Sequence, residues 1–171
     1  MAHDLGILLF RVIIGLGIAA HGAQKLFGWF GGPGLKGTGQ FMESLGFRPG
    51  LTFALMSGLG EFVGGALVLL GFLGAVGPAL VIAVMTVAIL TVHIRNGFFA
   101  ANKGWELPAA YIAGALAAAF TSSSLLTLDH LFGLSLFHST VATWALVVVG
   151  VLAGSLTLVV RRVSGSMKGS Q

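Results

Sequence analysis

Several side chains able to do acid–base or ligand-binding chemistry fall inside long apolar runs or at their edges: Arg11, His21, Lys25, Glu61 and His93. Asn96, Asn102 and Glu106 follow shortly after the last of these. A charged side chain near the centre of a bilayer costs at least ~2.5–3.5 kcal/mol on insertion scales, so it normally turns inward to a partner. Arg11 shares a helical face with Gly15, Ile18, Gly22 and Lys25, and Glu61 shares one with Ala54, Ser57, Gly58 and Gly65. Small residues at this spacing let helices approach closely. Counted from opposite membrane faces at ~1.5 Å per residue, Arg11 and Glu61 differ in depth by roughly 6 Å. A guanidinium spans that, so an Arg11–Glu61 ion pair is expected, either as an architectural pin or as a polar wall for a ligand or proton.

A second group gathers toward one membrane face: His21, Lys25, His93, Asn96, Asn102 and Glu106. Histidine donates or accepts near neutral pH, so a His pair beside Glu and Lys can exchange protons with a lipid-soluble ligand such as a quinone. The plain alternative is that these residues bond to backbone or lipid at the interface. His21 and His93 also permit bis-His haem ligation without selecting it. His3, His130 and His138 are scattered and carry no assigned role. With no cysteine, disulfides, thiolate metal sites and dithiol chemistry are excluded, and no metal site is expected. No phosphate-loop pattern occurs.

These groups need elements to hold them, and composition says which. The chain is 56% hydrophobic and 8% charged over 171 residues, with mean hydropathy +0.99. A soluble domain is roughly 25% charged, so the lipid bilayer is the solvent. Five apolar segments approach the roughly 20 residues that span a hydrocarbon core: about 5–27, 51–73, 76–94, 107–121 and 140–160. The fourth is short, and it either extends through Leu126 or sits tilted. The fold expected is all-α, a transmembrane helical bundle. Residues 28–50 form a glycine-rich connection in which Phe41, Met42, Leu45 and Phe47 make one apolar side of an interfacial helix.

Five crossings put all of Lys25, Lys36, Arg48, Arg95, Lys103, Arg161, Arg162 and Lys168 on one side, with Asp4 and Asp129 opposite. The positive-inside rule makes the basic side, with the C-terminus, cytoplasmic. The same distribution forms no basic stripe, so nucleic acid is not a partner.

HGAQKLFGWFGGPGLKGTGQFMESLGF (residues 21–47), GEFVGGALVLLGFL (60–73) and TVHIRNGFFAANKGWE (91–106) closely resemble the bacterial DoxX family. HGxQKLFG and NGFF…N-x-G-x-E carry the resemblance, which extends over roughly residues 5–128. It implies a four-helix DoxX-like core over 1–128, with 129–162 adding an outer loop and a fifth C-terminal transmembrane helix. Residues 163–171 are expected to form a disordered cytoplasmic tail. Some DoxX-like proteins are membrane subunits of a thiosulfate:quinone oxidoreductase, and others resemble anchors for complexes handling oxidative or thiol stress. The resemblance therefore implies a multi-pass protein of the bacterial cytoplasmic membrane that supports a quinone-linked oxidoreductase complex, binds quinone or another lipid-soluble ligand in the bundle and needs a protein partner for electrons. The alternative is a non-catalytic scaffold recruiting a partner. Family-matching polar positions are Arg11, His21, Lys25, Glu61, His93, Asn96, Asn102 and Glu106.

Overall fold

The computed structural model describes residues 1–135 and 137–166, with side chains to Arg161, and all regular structure among them is helical. Helix α1 runs Ala2–Phe27, α2 Gly34–Ser44, α3 Gly50–Leu70, α4 Val76–Ala88, α5 Glu106–Phe120, α6 Leu128–Leu131 and α7 Thr140–Ser166. A π-helical turn, Ile89–His93, and a 3-10 turn, Ile94–Asn96, continue α4. Four helical stretches are long and apolar enough to cross a membrane: Ala2–Phe27, Gly50–Leu70, Val76–Asn96 and Thr140–Arg161. Helix α5 has 15 residues, about 22 Å of helix. It stops at Thr121, whose hydroxyl turns back to the Ala117 carbonyl at 2.7 Å. Three serines follow, and short hydroxyl side chains compete with helix for backbone bonds. Helix α7 continues to Ser166, into the segment expected as a tail, and residues 167–171 lie outside the described residues.

Helices α1 and α3 form the tightest seam. A Cβ on Gly15 would stand 2.6 Å from the Leu69 nitrogen and 2.7 Å from the Gly65 carbonyl oxygen. One on Gly22 would stand 2.7 Å from the Gly58 carbonyl oxygen. Only residues without a side chain permit that approach, and backbone contact then replaces the missing hydrophobic drive between helices in lipid. Helix α4 packs on α3, α5 and α7, and its buried Val81, Ile82 and Met85 join Ile18, Ala115, Ala119 and Val147 in the core.

The two ends of the bundle differ in charge. At one end sit the 28–49 and 94–105 connections and the end of α7, where the Arg161 guanidinium lies 5.5 Å from the Phe47 ring centroid. At the other end Asp129 accepts from the Leu73 and Gly74 amides at 2.9 and 2.7 Å and pairs with His138 at 2.8 Å. That carboxylate clasps α6 onto the turn joining α3 and α4. Asp4 holds the end of the 121–127 loop in the same way, through Ser124 and the Leu125 amide.

Candidate functional site

Lys25 stands in the last turn of α1, just before Gly28 closes the helix in the left-handed conformation. Its Nζ donates to Glu61 Oε1 at 2.6 Å and to Ser57 Oγ at 2.9 Å. Ser57 and Glu61 are four residues apart on α3 and so share a face. Glu61 is 3% exposed and Lys25 25%. This is the ion pair inside the bundle, and it corrects the expected Arg11–Glu61 pair. Because Gly15 sits between Gly65 and Leu69 and Gly22 between Gly58 and Phe62, Glu61 lies abreast of His21, ten residues and roughly 15 Å of helix from Arg11. The glycine seam sets the register, and hydropathy edges do not reveal it.

Arg11 is 1% exposed and donates through Nη2 to the Leu126 carbonyl. Its Nε and Nη1 have no partner among the described residues, and the same holds for Glu61 Oε2. Nη1 presses against Gly71, the residue that closes α3. A cation there meets the negative end of the α3 dipole, which compensates a charge that has no carboxylate.

Beside Lys25 opens a cavity of about 360 Å³ bounded by α2, α3, α4 with its π turn, and α7. Its wall is mainly apolar, from Phe41, Met42, Leu45, Phe47, Phe53, Met56, Leu80 and Val84. The four residues expected on the apolar side of an interfacial helix thus become its roof. Lys25, Thr38, Ser57, Thr91, His93 and Thr157 supply the polar groups. Helices α3 and α7 both pack on α4 and make little contact with each other across the cavity. Thr38 fastens α2 to the end of α1 by reaching the Lys25 and Gly34 carbonyls at 3.2 and 2.8 Å.

His93 ends the π turn, a distortion that recurs at functional sites because it re-aims side chains. Its Nδ1 lies 2.7 Å from the Lys103 carbonyl oxygen. A carbonyl only accepts, so Nδ1 carries the proton and Nε2 is left with a lone pair in the neutral ring. Asn96 Nδ2 donates to the same carbonyl at 3.1 Å and to Val92 at 3.3 Å. Glu106 Oε2 accepts from the Ala100 amide at 2.7 Å, while the Trp105 and Glu106 amides reach back to Gly97 and Phe98. Asn96 and Glu106 therefore brace the 97–106 loop that holds His93, and they are not among the cavity residues. Asn102 is exposed, its amide closing a turn on Phe99. His21 packs edge-on against Tyr111 of α5, with centroids 5.7 Å apart, and does not line the cavity.

Of the six residues grouped from sequence, two meet at one cavity, Lys25 and His93. Sequence reasoning missed the wall from α7 (Ala153, Gly154 and Thr157), the Lys25–Glu61 pairing, and the Asp129–His138 clasp. The Ser57-x-x-x-Glu61 spacing was the available signal for a cation docking on that face.

A family model described as DoxX matches residues 6–94, from the second turn of α1 through the π turn to Ile94. No curated protein and no solved structure shows a match. The matched segment contains Lys25, Glu61 and His93, whereas α5 and α7 lie beyond it.

Proposed function

The chain belongs to the DoxX family of membrane proteins, and from that premise we propose that it is a subunit of a quinone-linked membrane complex, holding a lipid-soluble ligand in the cavity between α2, α3, α4 and α7. The observation that carries this reading is an apolar cavity of about 360 Å³ whose polar residues include the Lys25 ammonium and the His93 imidazole. Pockets for small ligands run from about 300 to 1,000 Å³ and combine apolar walls with a few placed polar groups. A single substituted ring fits this volume, and a long isoprenoid chain does not. The chain would leave between α3 and α7, into lipid. Lys25 spends two of its three N–H donors on Ser57 and Glu61, so one remains for a ring oxygen.

Electrons would come from a partner protein, because the side chains around the cavity hold protons and hydrogen bonds only. The basic end of the bundle, with the cavity, faces the cytoplasm in this reading. The test is saturable binding of a short-chain quinone or its hydroquinone to the purified protein in nanodiscs, with the tighter-binding of the two weakened at least fivefold by His93→Ala. Binding that His93→Ala leaves unchanged would sink the site, and recovery of a stoichiometric protein partner with no bound small molecule would favour a scaffold.

A further inference from the structure

The hydrogen-bonding polarity of the cavity selects one form of its ligand. Resting on the reading above, we infer that the site is built for a head group with a hydroxyl donor on one side and an oxygen acceptor on the other. This describes a hydroquinone or a para-alkoxyphenol, and a fully oxidised quinone lacks the donor.

Thr38 of the roof spends its proton on the Lys25 and Gly34 carbonyls, and the remaining polar groups fall on two facing walls. His93 has committed its Nδ1 proton to the Lys103 carbonyl, so it offers a ligand the Nε2 lone pair. Thr91 and Thr157 have committed their protons to the Val87 and Ala153 carbonyls at 2.7 and 2.9 Å. Each then offers only an acceptor oxygen. On the opposite wall Lys25 keeps a third N–H. Ser57 Oγ accepts from Lys25, and its own proton has no acceptor among the described residues. The α4–α7 wall therefore accepts and the α1–α3 wall donates. A quinone carbonyl satisfies Lys25, but its second carbonyl meets lone pairs at His93. A hydroquinone satisfies both walls, its oxygen accepting from Lys25 and its opposite hydroxyl donating to Nε2. A buried acceptor left unpaired is a loss that its paired competitor does not suffer.

The experiment uses the full chain in nanodiscs under anaerobic buffer, with three probes sharing one decyl chain: a hydroquinone, its quinone, and the hydroquinone methylated on both oxygens. The hydroquinone is expected to bind at least tenfold more tightly than either of the others, equivalent to about 1.4 kcal/mol. In His93→Phe the hydroquinone should lose that advantage while quinone affinity stays within about threefold. Equal affinity of hydroquinone and quinone for the unaltered chain overturns the inference and leaves the cavity assignment standing. Binding of none of the three overturns both. The probe comparison on the unaltered chain decides the matter even if His93→Phe does not fold.

Discussion

Replacing Lys25 by methionine would strand the Glu61 carboxylate in the bundle. Glu61 is 3% exposed, and Oε2 already has no partner among the described residues, so losing Nζ at 2.6 Å strips the carboxylate of its hydrogen-bonded cation. Removing one partner of a buried pair typically costs about 3–5 kcal/mol. The reverse change, Glu61→Gln, is milder. Lys25 is 25% exposed at the cavity edge, so its ammonium keeps Ser57 and can swing toward the mouth. The amide that replaces the carboxylate retains an acceptor oxygen, and a loss of about 1–2 kcal/mol is expected. Lys25→Met should therefore exceed Glu61→Gln by about 2 kcal/mol, and Lys25→Met with Glu61→Leu should recover most of the loss. The assay is reversible unfolding in mixed micelles, followed by tryptophan fluorescence. Equal losses for the two single variants would refute the reasoning. So would coupling above about 1 kcal/mol between Arg11→Met and Glu61→Gln, since sites this far apart should be additive.

Two further outcomes follow from the geometry. Asp129→Asn weakens three bonds at the end opposite the cavity, and a loss of about 1.5–3 kcal/mol is expected. Hydrogen exchange should rise at residues 71–75 and 127–135, with no change at residues 50–60. The chain has no native cysteine, so Met56→Cys with Thr157→Cys, bridged by a bis-maleimide, would tie α3 to α7 across the cavity. Quinone loaded before bridging should stay trapped and quinone added afterwards should be excluded. Free exchange past the bridge would rule out lateral entry.

Hydropathy made the membrane bundle legible, because apolar runs of spanning length have no other stable home. It also marked the polar residues worth attention, and Lys25, Glu61 and His93 were all among them. It could not supply the vertical register between helices. Register comes from Gly15, Gly22, Gly58 and Gly65, whose bare backbones interlock in a single alignment, and that interlock brings Lys25 beside Glu61 and leaves Arg11 far away. The N-x-G-x-E pattern after His93 was legible as a motif but not as a brace, since a loop carbonyl as the shared acceptor leaves no side-chain signature. Nor could one helix's sequence announce that the cavity beside α3 is walled by α7, whose glycines and alanines resemble any lipid-facing stretch.

The two interior cations also acquire their hydrogen-bond partners at different moments in the life of the chain. Lys25 and Glu61 are 36 positions apart, so their pair can close as soon as the second membrane span leaves the ribosome and enters the bilayer. Arg11 and its Leu126 acceptor are 115 positions apart, and α3, α4 and α5 must all be synthesised before that contact exists. Until then the first span carries a guanidinium with its final acceptor still unmade. A nascent chain stalled after α4 would hold the pair at its basic end complete and the opposite end open, with Arg11 buried in lipid and its carbonyl acceptor still unmade.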